Sequence, residues 1–174
     1  QGAGHAEVCL SEVQSAGRGR RGREWETPWG RSLVFSLGWR FESGAASLEG
    51  LSLAIGVAVA EVLEADGLPA RLKWPNDVLL YGKKVAGLLN EMSAETDRVH
   101  YVVLGIGVNL NMQEDQFPDD LRCPATSLAI AGDRPVSRLD FTRALLREID
   151  ACEPHSQIFR SGRGARAAGR RGPP

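Results

Sequence analysis

The sequence predicts an α+β fold, a mixed or antiparallel β-sheet flanked by helices, and three observations predict it. From Ser32 to Phe41, the residues Leu33, Phe35, Leu37, Trp39 and Phe41 fall at every second position, the period of a strand with one buried face. From Ser47 to Asp66, the residues Leu48, Leu51, Ile55, Ala58, Val59 and Val62 recur mostly at spacings of three and four, the period of a helix with a wide apolar face. Strands precede, separate and follow the helical stretches without regular alternation, which argues against a parallel βαβ series.

Taken in order, Glu7–Val13 alternates weakly and reads as a short strand. Gly17–Arg23 is a loop that Thr27-Pro-Trp-Gly30 closes with turn residues. The Ser32–Phe41 strand follows, then the Ser47–Asp66 helix, with Ser47 as N-cap and Gly67 as C-terminal stop. Arg71–Trp74 reads as a strand that Pro75 ends, because proline offers no N–H to a ladder. Val78–Tyr81 and Val85–Leu89 form a hairpin across Gly82-Lys83, and the valine-rich His100–Ile106 run is a central strand. Asn111–Arg122 is an acidic loop, and Pro124–Ala131 is a short helical or extended piece. Ser137–Cys152 is a second long helix, with Ser137 and Asp140 spaced like a capping box. The pattern stops at Pro154, so 1–153 reads as one domain and 154–174, rich in glycine and arginine, as a disordered tail.

Composition narrows the function classes. The 174 residues are 43% hydrophobic and 25% charged, the make-up of a soluble globular domain. The longest apolar stretch, Leu51–Leu63, falls short of the roughly 20 residues of a membrane span. Cys9, Cys123 and Cys152 are far apart, odd in number and not at metal-ligand spacing with the histidines, which points to a reduced, cytoplasmic protein. The net charge of −1 conceals five arginines in 160–174, so 1–159 carries −6 and does not read as a general nucleic-acid binder.

Four stretches carry chemistry. Gly17–Arg23 holds three glycines and four arginines. Glycine permits close backbone approach to a ligand, and arginine presents a fork of donors matched to carboxylate and phosphate. The loop is either a solvated basic turn or an anion grip. Lys73-Trp-Pro-Asn-Asp77 puts a cation, an aromatic ring and a carboxylate at one strand end, and Lys83-Lys-Val-Ala-Gly87 adds further cations after the hairpin turn. Each of these also reads as an ordinary polar turn. Gly105-Ile-Gly-Val-Asn109 sets two glycines on one face of a strand, leaving a slot for a flat ligand or for close backbone packing. No third glycine and no helix follow, so this is not a dinucleotide fingerprint.

In this order the motifs resemble the catalytic domain of biotin–protein ligases, over about residues 7–152. The resemblance implies a fold related to class II aminoacyl-tRNA synthetases. It implies that biotin and ATP, with Mg²⁺, give biotinyl-5′-AMP, and that the biotinyl group passes to a lysine of a biotin carboxyl carrier domain. Carried over residue by residue, Gln14, Gly17, Arg18, Gly19 and Arg20 match the biotin and adenylate site, and Arg23 and Trp25 match positions near the ATP phosphates and adenine. Lys84 matches the lysine that contacts the biotin carboxyl and the phosphoryl group. Lys73, Asn76 and Asp77 match the phosphate and acceptor side, with Asp77 also the candidate Mg²⁺ contact. Gly87, Leu89, Gly105 and Gly107 match the pocket wall, and Asn109, Thr126 and Ser127 match nucleotide contacts. Lys84, Arg20, Lys73 and Asp77 are thereby the catalytic candidates. Alternatives are a lipoate or other acyl-adenylate ligase and a non-catalytic adenylate-binding fragment. Two departures stand out: residues 1–6 lack the family's Ser-Thr-Asn-like segment, and the glycine and arginine tail stands where many bacterial members have a β-barrel domain. Both ends therefore read as truncated. No DNA-binding domain is expected, and a homodimer is left open.

Overall fold

The computed structural model describes residues 7–40, 50–95 and 98–152. They form a six-stranded sheet and three α-helices: β1 (Glu7–Ser11), β2 (Ser32–Arg40), α1 (Leu51–Ala65), β3 (Ala70–Lys73), β4 (Asp77–Leu80), β5 (Lys83–Glu95), β6 (Arg98–Asn109), α2 (Leu128–Gly132) and α3 (Arg138–Cys152). The strand order is β1-β2-β6-β5-β4-β3, and every neighbouring pair of strands is antiparallel. The α+β expectation holds. The expected Ser47 cap, the end of the β2 run at Phe41 and the tail from Pro154 lie outside the described residues.

One face of the sheet is the core. Leu33, Phe35 and Leu37 of β2, Leu104, Ile106 and Val108 of β6 and Ala86 and Leu88 of β5 are buried there, in one cluster with Leu51, Ile55, Val59 and Leu63 of α1 and Phe141, Leu145 and Ile149 of α3. Burying each of the larger side chains contributes about 1.5–3 kcal/mol, which is why the period-two and helical patterns find the same core. Helix α1 ends as Gly67 predicts. Gly67 takes φ +80°, its N–H donates to Glu64 at 3.0 Å, and the Leu68 N–H donates back to Leu63 at 3.0 Å. Helix α3 starts from Ser137, whose hydroxyl accepts from the Asp140 N–H at 3.3 Å, the N-cap half of the expected box.

Three differences from the expectation bear on the site. Strands β5 and β6 run well past Leu89 and before His100, because they pair with each other along nearly their whole length and tolerate polar residues on the open face. The β4–β5 turn is Tyr81-Gly82 rather than Gly82-Lys83. Both residues have positive φ, 49° and 78°, as a two-residue hairpin turn twisted to match its strands requires. Lys83 therefore begins β5. The third is a bulge: Val78 faces Ala86 but Leu79 faces Lys84, so β5 carries one extra residue, Val85.

Candidate functional site

The strand register builds the site. Directly paired residues of an antiparallel sheet share a face. Val34 pairs with Gly107, Gly107 with Gly87, Gly87 with Asp77, and Asp77 with Lys73, so these five residues form one row across β2, β6, β5, β4 and β3. The adjacent row holds Ser36, Gly105 and Leu89. Two facing glycines make a trough in the open face of the sheet, and the row ends in a carboxylate and an amine. A cavity of about 540 Å³ lies over it. Gln14, Arg18, Gly19, Arg20, Arg23, Trp25, Lys73, Asn76, Asp77, Lys84, Gly87, Leu89, Gly105 and Gly107 all border that cavity.

The bulge decides which lysine reaches the trough. Strict alternation back from Gly87 would send Val85 to the open face and Lys84 to the core. The extra residue instead keeps Val85 fully buried and turns Lys84 to the open side. There the Lys84 ammonium stands 2.7 Å from Asp77 Oδ1, with both side chains largely shielded from solvent. The same ammonium lies 5.3 Å over the centre of the Trp25 ring. Backbone bonds from the Lys84 N–H to Pro124 and from the Thr126 N–H to Lys84, at 2.7 and 2.9 Å, fix this position from below. Asn76 braces the preceding turn, since its side-chain amide donates to the Leu88 carbonyl at 2.6 Å.

The Gly/Arg loop folds as a small hairpin of its own. The Gly19 N–H donates to Arg23 at 2.7 Å and the Trp25 N–H to Gly17 at 2.9 Å, and Arg18 is bridged to Glu24. Gly17 is obligatory here, because a Cβ at this position would stand 2.1 Å from the Trp25 carbonyl oxygen. Gly17 thus shapes the loop and borders not the cavity over the trough but a second one on the loop's other side, with Asn90 and Glu91. The Trp25 indole lies in the trough itself. A Cβ on Gly107 would come within 2.6 Å of the ring, and one on Gly87 within 2.9 Å. The ring's Nε1 is buried without an acceptor among the described residues.

The structure does not bring Asn109, Thr126 and Ser127 to the cavity border. All three are buried and engaged elsewhere. The Asn109 amide donates to the Thr126 carbonyl at 3.1 Å, Ser127 caps α2 by accepting from Ile130, and the Ser127 hydroxyl donates to Met112 at 2.7 Å. Ser36 and Glu91 are among the bordering residues that the sequence reading did not assign to the site. The period of two through Leu33, Phe35 and Leu37 already turns Ser36 to the open face, whereas the register is needed to show it for Glu91. Among the described residues no three His, Cys, Asp or Glu side chains gather as a metal-ligand cluster, and none of the helices is long and apolar enough to cross a membrane.

A glycine-floored trough on an antiparallel sheet is thus bordered by an arginine loop and edged by a lysine–aspartate pair. The chain belongs to the biotin/lipoate A/B protein ligase family, whose model matches residues 3–109. It is 41% identical over 140 residues to the bifunctional ligase/repressor BirA of Bacillus spizizenii, covering 80% of this chain and 43% of that protein. It is 38% identical over 149 residues to the biotin–[acetyl-CoA-carboxylase] ligase of Mycobacterium tuberculosis, covering 83% and 53%. Among solved structures, the biotin protein ligase of Aquifex aeolicus in complex with biotin and ATP superposes with a TM-score of 0.74 at 31% identity, over 92% of this chain and 67% of that one. The chain thus spans about half or less of the length of these two curated relatives.

Proposed function

We propose that residues 1–153 are the catalytic domain of a ligase that activates biotin as biotinyl-5′-AMP and transfers it to a lysine of a biotin carboxyl carrier domain. The observation that carries this reading is the row Gly107–Gly87–Asp77–Lys73 with Lys84 beside it, under a loop of four arginines. It gives a flat floor at one end and concentrated positive charge at the other. A cavity of about 540 Å³ suits a ligand of this size.

In the first step a biotin carboxylate oxygen attacks the α-phosphorus of ATP, the bond to the pyrophosphate oxygen breaks, and pyrophosphate leaves. Two anions must meet, so cations aimed at the oxygens where charge builds lower the barrier. Lys84, Lys73 and Arg20 are those cations in this reading, with Arg23 on the β- and γ-phosphates. Trp25, already against the glycine floor, offers an aromatic face to the base. Mg²⁺ enters with the triphosphate as part of the substrate, held by phosphate oxygens and at most one carboxylate, for which Asp77 is the candidate. In the second step the carrier amine attacks the acyl carbon, the bond to the phosphate oxygen breaks, AMP leaves, and the amine gives up a proton. Asp77, next to Lys73 at the edge of the row, receives it. Asn109, Thr126 and Ser127 act through the framework by holding Lys84 and α2 in place. The need for ATP fits the cytoplasm.

The test is biotin-dependent exchange of labelled pyrophosphate into ATP, followed by transfer to a carrier domain. Exchange with biotin and Mg²⁺ supports the reading. Exchange stimulated by lipoate and not by biotin replaces it with the lipoate reading, consistent with the breadth of the family model. Binding of biotinyl-5′-AMP with neither exchange nor transfer makes the chain a non-catalytic adenylate binder.

A further inference from the structure

The arginine loop is fastened to the sheet at two points. One is the Trp25 ring on its glycine floor. The other is an ion pair in fork geometry: Arg18 Nη1 stands 3.2 Å from Glu91 Oε1, and Arg18 Nη2 donates to Glu91 Oε2 at 3.3 Å. Glu91 lies on β5 two residues beyond Leu89, paired with Val103 of β6, so it is on the open face at the mouth of the trough. Two parallel contacts fix a guanidinium in direction as well as in distance. The loop is bonded internally from Gly17 to Trp25, so a hold on Arg18 is a hold on the whole hairpin. Among the described residues Arg20, Arg21 and Arg23 form no ion pair, which leaves three loop cations for an anionic ligand and assigns the fourth to the sheet.

We propose that Glu91 is a positioning residue: by gripping Arg18 it straps the loop over the trough and sets how long an acyl-adenylate is retained there. The second half of this statement rests on the function proposed above. The strap itself does not. Retention matters because a mixed anhydride released before the carrier arrives is lost to hydrolysis, and a closed loop keeps both the intermediate in and water out.

The loop offers trypsin four arginines, so its opening can be read without any ligand. The pair is largely exposed, 73% and 46%, and such a pair shifts an opening equilibrium about two- to fivefold. Glu91→Gln keeps size and shape and removes the charge. The expected result is two- to fivefold faster cleavage within Arg18–Arg23 at low salt, with the melting temperature held to confirm folding. Raising the salt to about 1 M should bring the wild type up to the variant and leave the variant unchanged. The charge swap Arg18→Glu with Glu91→Arg should restore slow cleavage at the remaining arginines. In the second arm, release of biotinyl-5′-AMP should accelerate by the same factor, with the KM for biotin raised and kcat for exchange changed by less. Equal cleavage of wild type and Glu91→Gln at low salt overturns the strap, and so does slower adenylate release from the variant. A wild type that binds no biotinyl-5′-AMP at all overturns the proposed function, while the cleavage arm still decides on Glu91.

Discussion

Gly105 and Gly107 are equivalent in the sequence, two residues apart on one strand face, yet the structure makes opposite demands on them. A Cβ added to Gly107 would meet Trp25 Cε2, Cζ2 and Nε1 at 2.6, 2.7 and 2.8 Å, all shorter than real Cβ contacts. A Cβ on Gly105 would find the Leu89 carbonyl oxygen at 3.6 Å and the Leu89 Cβ at 3.8 Å, ordinary contact distances. Gly107→Ala must therefore displace the indole. Overpacking of this kind costs about 1–3 kcal/mol. For a chain of this size that lowers the melting temperature by roughly 2–12 °C. Gly105→Ala meets no such obstacle, and by restricting the unfolded chain it should be neutral or stabilising by about 0.4–1 kcal/mol. The decisive measurement is a double-mutant cycle with Trp25→Ala, read by urea or thermal unfolding. With the ring gone, Gly107→Ala should lose its penalty, giving a coupling of about 1–3 kcal/mol. If Gly107→Ala costs the same with and without Trp25, or if Gly105→Ala is equally harmful, the indole does not occupy the trough and the site geometry built on it is wrong.

Other outcomes follow from single contacts. Lys84→Ala leaves the shielded Asp77 carboxylate unpaired and should cost about 1–3 kcal/mol while suppressing biotin-dependent exchange, whereas Lys83→Ala, exposed at the start of β5, should leave both nearly unchanged. Similar behaviour of the two variants in exchange and melting assays would contradict the bulge at Val85. The Arg138 guanidinium donates to Glu12 at 2.6 Å and holds its carboxyl below the ordinary value of 4.5, chiefly through that hydrogen bond. A depressed carboxyl stabilises the fold above its unfolded value and loses that contribution as pH falls through the folded one. Glu12→Gln should therefore melt below the wild type at pH 7, with the gap closing below about pH 4.5. Asn111 clasps Val136 from both sides, accepting its N–H at 2.8 Å and donating to its carbonyl at 2.9 Å. Asn111→Ala should destabilise by about 1–3 kcal/mol in urea unfolding, and a shift under 0.5 kcal/mol would show that water replaces the clasp without loss.

What the sequence exposes and what it hides divide along a physical line. Periods of two and 3.6 report which side of an element is apolar, and they locate β2, α1 and α3 because each buries one face. They fail where an element is judged by its polar residues. Asn90 and Glu91 look like the end of a strand, but β5 continues to Glu95 because its backbone is paired to β6 while its open face accepts charge. Glu91, the partner of Arg18, was hidden for that reason.

The site shows the same division. The Gly/Arg loop, Lys73–Asp77 and the Gly105–Asn109 segment are legible because their residue types are chemically unusual together. Their mutual placement is not, since it depends on pairings between strands far apart in sequence. The case of Lys84 is the sharpest. Alternation along β5 correctly says that Lys83 and Lys84 differ in direction, but counted from Gly87 it selects the wrong one. One unpaired residue, Val85, reverses the parity. The bulge is therefore the feature on which the site turns, since under strict alternation the ammonium now 2.7 Å from Asp77 would be directed to the apolar face that holds Val78 and Ala86. Burying an unpaired ammonium there would cost several kcal/mol. Deleting Val85 avoids that cost, because it puts Lys84 directly before Ala86 with both pairings kept, so this variant should hold Lys84 on the open face and lose only the packing of the buried valine, about 1.5–3 kcal/mol in urea unfolding.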